Sequence, residues 1–330
     1  MASETSGVAE TRAAIVDHPG AVPRIGSIVL SDRRPGTTLV RIRAASINPI
    51  DKGIAAGMVP GLRHDQPYVP GMECVGEVVS SDSFEPGRLV FGEAHASSPS
   101  PGTLADFAVL EDASLLPVPD GLDPALAVGV ANTGIAAFLP LVDLAKVGEG
   151  DVVLVLGATG SVGRLAVQIA RERGASHIIA VGRDSASLEV LATLGATTTI
   201  GLAAGDDADS LAGRLSEAPP PTVVLDALYG FGFSAALRVC APKARVVNIG
   251  NALDATAVVP AGILRLRQVT VMGFASVLTP VASKSHALTW IWERLLDGRM
   301  SFSVTARALD EIVEAWTAPY ESGVKHVLIP

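Results

Sequence analysis

Residues 151–163 read DVVLVLGATGSVG, an apolar run followed by three glycines at a spacing of three. No other stretch constrains the fold as much. Five apolar residues from Val152 to Leu156 predict a buried strand. The next run, RLAVQIARERGA, has helical periodicity and stops at Gly174. Strand, glycine turn and helix in that order form a phosphate cradle. Gly157 permits the tight turn, Gly160 lets the backbone approach a pyrophosphate, and Gly163 lets helix and strand pack closely. The pyrophosphate is expected on the turn residues Ala158 and Thr159 and on the first helical amides, Ser161 and Val162. A second strand at 177–181 arrives where a βαβ unit requires it. The stretch predicts a dinucleotide site. The alternative is a glycine-rich turn in some other α/β protein.

What ends the second strand suggests which dinucleotide. NAD-preferring sites place Asp or Glu there, to bind the adenosine 2′-hydroxyl. This chain reads AVGRDSAS, with Gly182 at that position and Arg183 next. The glycine removes an acid that would repel a 2′-phosphate, and the arginine offers a bidentate, permanently charged partner. The expected cofactor is NADP(H), with Ser185 and Ser187 as further donors. Asp184 could swing in against the phosphate, and Arg183 read alone could be a solvated surface residue.

The 330 residues suffice for two domains. With 48% hydrophobic and 18% charged residues, large buried cores are expected, and a net charge of −9 argues against a nucleic-acid or acidic-membrane surface. Cys74 and Cys240 lie far apart and form neither a disulfide framework nor a metal cluster, as in a reducing compartment. No apolar run has the length of a membrane span. The opening MASETSGVAETR lacks the apolar core of a signal peptide, so a cytoplasmic location is expected. Up to residue 122 the text is strand-like and punctuated by Gly and Pro, which predicts a compact, mostly β domain over 1–122. From 123 to 275 six strand signals alternate with helical stretches near 161–174, 186–195, 208–217 and 231–240, which predicts a doubly wound parallel sheet. The tail, 276–330, is expected to return to the first domain.

Several motifs in order resemble the medium-chain dehydrogenase/reductase superfamily, and within it the zinc-free quinone oxidoreductase branch that includes ζ-crystallin-like proteins. They are AASINPIDKGIAAG at 44–57, VPGMECVGEVV at 69–79, GATGSVG, VVLDALYG at 223–230, RVVNIG at 245–250 and the closing KHVLIP. The resemblance implies a mostly β, GroES-like catalytic domain beside a Rossmann NADP-binding domain. In zinc members the three catalytic ligands fall where this chain has Asn48, Met72 and, nearby, Asn132. Asn and Met cannot make that ligand set. The four-cysteine zinc loop is missing as well, and His95 stands alone in its polar loop, so no metal is expected.

The resemblance further places Asn48 in the cleft, as the candidate catalytic residue touching nicotinamide, ribose or substrate oxygen. Read from the chain alone, an Asn before Pro49 can simply order a turn. Asp51 is expected to fix local backbone. Asn132, Asn248, Ile249, Gly250 and Phe274 are expected to line the cofactor, with Ala275 following. Lys325 stands where relatives carry a basic residue near it, or else is a surface lysine. Many relatives have a tyrosine where this chain has Gly53, so a tyrosine proton relay is not expected, and Tyr68, Tyr229 and Tyr320 do not match that position.

The implied activity is an NADPH-dependent, zinc-free reductase of a quinone or an α,β-unsaturated carbonyl compound. A non-catalytic NADPH-binding partner protein and a narrow-substrate enoyl reductase of secondary metabolism are the alternatives. The apolar segment QVTVMGF suggests an edge strand pairing in a homodimer. Arg183→Asp is predicted to weaken NADPH far more than NADH, by about tenfold or more in Kd measured by fluorescence titration. Equal losses for the two cofactors would contradict the phosphate role of Arg183.

Overall fold

A computed structural model describes residues 10–59, 67–94, 102–319 and 323–330. The chain divides into two compact units. The first comprises 1–132, 292–320 and 325–330, and the second 133–291 and 321–324. The division falls later than the change in sequence rhythm at 122 and 275. Helical text does not by itself belong to the parallel sheet: the helix Pro124–Gly129 packs on the β-strands of the first unit. Trp292 joins it there, donating from Nε1 to the carbonyl of Ala127 at 3.2 Å and meeting Phe91 edge-on.

In the first unit, β1 (Glu10–Ile15) and β2 (Arg24–Val29) form an antiparallel pair. The larger sheet contains β3 (Thr37–Ser46), β4 (Glu73–Ser80), β5 (Leu89–Glu93), β6 (Phe107–Glu111) and β7 (Leu116–Pro117). β3 is rich in β-branched residues and largely buried, as a central strand should be. It pairs antiparallel with β4 and β6. Val40, Ile42, Val78, Val90 and Leu110 of these strands share a core with Trp316.

The second unit carries β8 (Val152–Leu156), β9 (His177–Gly182), β10 (Thr198–Gly201), β11 (Val223–Asp226), β12 (Arg245–Asn248) and β13 (Thr270–Gly273). Their order is β10-β9-β8-β11-β12-β13, parallel throughout. This is the expected doubly wound sheet, reversing direction of growth at β8 and β11. Strands covered on both faces read as unbroken apolar runs, and here Leu154, Ile179, Val181, Val224 and Val246 are fully buried. The last two strands, β14 (Ser303–Ala308) and β15 (Val324–Ile329), join the first unit's sheet, with Val327 opposite Ser46 and Leu328 opposite Ala45. Of the stretch 276–330, residues 276–291 group with the second unit, and 292–320 and 325–330 with the first.

Helices α1 (Pro49–Ala55), α2 (Pro124–Gly129) and α3 (Ala131–Phe138) precede the sheet crossovers α4 (Ser161–Glu172), α5 (Ser185–Leu194), α6 (Ala208–Leu215) and α7 (Gly230–Val239). α8 (Ala261–Arg267), α9 (Val281–Leu296) and α10 (Ile312–Thr317) complete the set. The crossovers fall within two residues of their predicted positions because each repeats apolar residues at helical spacing. In α4 the buried stripe is Leu165, Ala166, Ile169 and Ala170. No helix among the described residues is long and apolar enough to cross a membrane.

Gly163 fixes how closely α4 can approach β8. A Cβ there would stand 2.4 Å from the Gly157 carbonyl oxygen and 2.5 Å from Ala158 Cα. Both atoms are backbone and cannot rotate away. Gly213, on α6, would meet nothing within 4 Å. Gly163→Ala is therefore predicted to lower stability by about 1–3 kcal/mol or more. Gly213→Ala should be neutral or add about 0.5–1 kcal/mol. Denaturant unfolding of both variants checks the pair, and equal effects would refute the close-packing account.

Candidate active site

The first unit contains a buried polar cluster built by three strands and two helix starts. Ser46 ends β3, Glu73 opens β4, Lys325 lies on β15, Asn48 and Asp51 begin α1, and Asn132 begins α3. Asn48 and Glu73 are 1% exposed, Asp51 2% and Lys325 6%. Asn48 is the hub. Its Oδ1 accepts from Lys325 Nζ at 2.5 Å and from Asn132 Nδ2 at 3.3 Å. Its Nδ2 donates to Glu73 Oε1 at 2.8 Å and to Ser46 Oγ at 3.0 Å. The amide dipole thus points its oxygen at the ammonium and its nitrogen at the carboxylate. The reverse orientation would face like against like at both ends.

Glu73 is equally engaged: Oε1 also accepts from the Ser46 hydroxyl, and Oε2 from the Asn132 backbone N–H at 3.0 Å. Burial pushes its carboxyl up, while Lys325, Ser46 and Asn48 pull it back. Burial lowers the Lys325 ammonium, while Glu73 and Asp51 hold it up. Asp51 accepts from the Asn48 backbone N–H at 2.6 Å, the carboxylate half of a capping box. Its other oxygen is buried with no hydrogen-bond partner, and burial pushes the group up to about 7. Tyr68 is pushed up to about 12 by burial.

In the second unit the cradle residues gather where β8 and β9 end. The N–H groups of Gly157 and Ala158 donate to the Val181 carbonyl at 3.0 and 2.8 Å, turning the chain sharply into α4. Gly157 has φ +85°, the left-handed region that glycine tolerates best. The N-cap of α4 is Gly160, which has no side chain to accept from the first-turn amides of Ser161, Val162 and Gly163. A Cβ on Gly160 would meet only the Gly157 carbonyl oxygen, at 3.4 Å. Packing therefore explains the glycine at 163, while at 160 it leaves open backbone beside uncapped amides. That arrangement fits a pyrophosphate.

The surroundings of the other expected residues are as follows. A Cβ at Gly182 would lie 2.3 Å from Thr159 Cγ2, so a side chain there, acidic or not, requires Thr159 to shift. Ser187 is buried, and its N–H donates to Oδ1 of Asp184, the N-cap of α5, at 2.7 Å. The same bond commits Asp184, whose carboxyl is held low chiefly by Ser187. Arg183 is exposed. Asn248 turns inward, donating from Nδ2 to Asp226 Oδ2 at 2.9 Å and to the Gly250 carbonyl at 2.7 Å. It ties two loops together. Ile249 donates its N–H to the Asp226 carbonyl, and Phe274 its N–H to the Asn248 carbonyl, so both mark the carboxyl edge of the sheet. Lys325 is not a surface lysine, and Asn48 has every amide position filled from within the chain. Asp226 accepts from the N–H groups of Leu228 and Tyr229, which sets the turn into α7. His95, residues 60–66 and Tyr320 lie outside the described residues. Among the described residues no three His, Cys, Asp or Glu side chains group as a metal site. Sequence reasoning missed Ser46 and gave Glu73 no role. Their signal, a hydroxyl and an acid flanking Asn48 across two strands, appears only once the register is known.

Residues 34–120 match the alcohol dehydrogenase GroES-like domain family, and residues 161–293 the zinc-binding dehydrogenase family. The acrylyl-CoA reductase of Ruegeria pomeroyi is 30% identical, covering 82% of this chain and 81% of its own. The quinone oxidoreductase of Sus scrofa is 33% identical over 46% of each chain. The crystal structure of an alcohol dehydrogenase superfamily protein from Novosphingobium aromaticivorans superposes with TM-score 0.83 at 27% identity, over 97% of this chain and 99% of that one.

The buried carboxyl of Asp51 generates a pH prediction. Between the ordinary 3.8 and about 7 the folded chain holds a proton that the unfolded chain has released. Stability from this group therefore falls as pH rises through that window and is level above it. Asp51→Asn should make the decline of unfolding free energy between about pH 4 and 7 shallower, as read by denaturant titration. An unchanged slope would contradict the buried, proton-holding assignment.

Proposed function

The chain belongs to the medium-chain dehydrogenase/reductase superfamily, and from that premise we propose a metal-independent, NADPH-dependent reductase of quinones or α,β-unsaturated carbonyl compounds. The carrying observation is the Asn48 amide. Catalytic zinc takes three protein ligands of nitrogen, sulfur or oxygen plus an open position. Here the carboxamide oxygen at the first ligand position is already taken by the Lys325 ammonium and Asn132. The second position is Met72, a weak thioether donor. The donor set does not suit zinc, and a fixed ammonium supplies positive charge within the cluster.

The turn Gly157–Gly163 fits a dinucleotide pyrophosphate, and Arg183 a 2′-phosphate. When bound, the nicotinamide supplies a hydride. A substrate reducible without a Lewis acid must spread negative charge itself, which a conjugated carbonyl or a quinone does. The names of the two relatives, one acting on an acrylyl thioester and one on quinones, support this acceptor class. Asn48 acts as a positioning residue that holds Lys325 and Glu73 in register. Asn132 and Ser46 keep it in that role. Burial pushes the Tyr68 hydroxyl up to about 12, and Gly53 carries no side chain to donate, which supports solvent as the proton source. Assembly as a homodimer through β13 is part of the reading. That edge strand is largely exposed, and Val258, Leu266, Val271 and Leu278 around it are exposed apolar residues.

The test is the initial rate of NADPH oxidation with 1,4-benzoquinone, 9,10-phenanthrenequinone and a series of 2-alkenals, repeated with NADH and with a chelator. Turnover that prefers NADPH and ignores the chelator is expected. Loss of turnover in chelator, restored by zinc, would overturn the metal-independent reading. Tight NADPH binding with no turnover on any acceptor would favour a cofactor-binding partner protein or a narrow-substrate enoyl reductase.

A further inference from the structure

The second unit holds a cavity of about 470 Å³ between the ends of α6, α7 and α8. Residues 215–220 lead from it into β11, residues 238–242 into β12, and Arg267 into β13. It therefore sits at the amino edge of the parallel sheet. The glycine cradle sits at the opposite, carboxyl edge, where β8 and β9 end. The volume is that of a small-molecule site, for which roughly 300–1,000 Å³ is usual.

Its lining divides by chemistry. Leu215, Ala218, Pro220 and Val239 give it apolar walls, and its charged side chains are Arg238 and Arg267. Among the described residues no carboxylate lines it. Arg238 is committed to an ion pair with Asp209. Arg267 has no such partner. It is half-buried, and its Nη1 donates to the Cys240 carbonyl at 2.5 Å, the one hydrogen bond its side chain makes among the described residues. That bond spends one of five donors and holds the guanidinium against the end of α7. A half-buried cation without a counter-charge carries a desolvation cost that an anion in the cavity would offset.

The surrounding charge points the same way. The chain carries a net charge of −9, yet residues 231–275 hold five basic side chains, Arg238, Lys243, Arg245, Arg265 and Arg267, against one acid, Asp254. Asp254 follows β12 and so belongs to the other edge of the sheet. Helices α6 and α7 both end at the cavity, and their last carbonyls disfavour an anion. Arg238 in the last turn of α7 and Arg267 on the Cys240 carbonyl counter that end of the dipole.

We propose that this cavity is a second ligand site, for an organic carboxylate with an apolar body. The carboxylate pairs with the free edge of the Arg267 fork, a planar match that an ammonium would not provide. The body lies against Leu215, Ala218, Pro220 and Val239. The site is independent of the cofactor and of the reaction at the other edge.

The test is a ligand-observed NMR titration of wild type, Arg267→Met, Arg267→Lys and Ala218→Leu at constant ionic strength. The probes are octanoate, 4-phenylbutyrate and 4-phenylbutanol, with inorganic phosphate as competitor. Both acids should bind saturably, with and without NADPH, and the alcohol about tenfold more weakly or worse. Arg267→Met should weaken both acids about tenfold or more, with Arg267→Lys between. Ala218→Leu, which fills the apolar wall and leaves the arginine in place, should weaken them as well, so the claim is tested even if Arg267→Met fails to fold. No saturable binding of either acid up to about 10 mM would overturn the proposal. So would equal binding of the alcohol, displacement by phosphate at matching concentration, or affinities unchanged in Arg267→Met and Ala218→Leu, which would leave Arg267 as a helix cap only.

Discussion

One carboxamide holds the chemistry of the first unit in place. Asn48 sits between a buried ammonium and a buried carboxylate, with its dipole aligned along the field between them. Lys325 and Glu73 make no direct salt bridge; the amide carries the contact from one to the other. Removing two charges from water costs several kcal/mol per ion, and only good geometry with all remaining hydrogen bonds filled offsets it. Glu73 accepts from Ser46, Asn48 and the Asn132 backbone, and Asn48 uses both its donors and its acceptor, the acceptor on Lys325. The antiparallel register of β3 with β4 and β15 delivers these side chains, so the sheet and the cluster require each other.

The second unit depends on a different constraint, the distance between α4 and β8. Gly163 allows a helix to start against backbone atoms of the preceding turn. That approach leaves the first-turn amides of α4 facing the carboxyl edge of the sheet without a cap. A helix N-terminus without a capping side chain forgoes about 1 kcal/mol that an anionic ligand can restore. The same edge carries the inward-turned Asn248 and Asp226, which bind the loops after β11 and β12 to each other. Stability and ligand capacity thus come from one local geometry.

The strand–turn–helix of the cradle was legible in the sequence because it is local: thirteen consecutive residues specify it, and glycine spacing carries a steric meaning without tertiary context. The parallel sheet was legible for the same reason, since each buried strand is a continuous apolar run. The Asn48 cluster was not. Lys325 lies 277 positions from Asn48, and nothing near it distinguishes a buried lysine from a surface one. Gly182 illustrates a subtler limit. Its lack of an acid is visible in the chain, but Thr159 standing in the space a side chain would take is a contact between two loops. Asn248 and Ser187 carry polar groups that look available in sequence and prove to be spent on Asp226 and Asp184. Helix α2 is helical in sequence but packs on β3 and β4, a contact that the chain's local pattern does not carry.

Lys325 and Glu73 form one charge-compensated unit through Asn48. A double-mutant cycle measures this directly: unfolding free energies of wild type, Lys325→Met, Glu73→Gln and the double variant. Each single substitution strands a buried charge and should cost about 3–5 kcal/mol, while the double variant should lose much less than the sum. Additive losses would show that the two groups do not sense each other and would contradict the account.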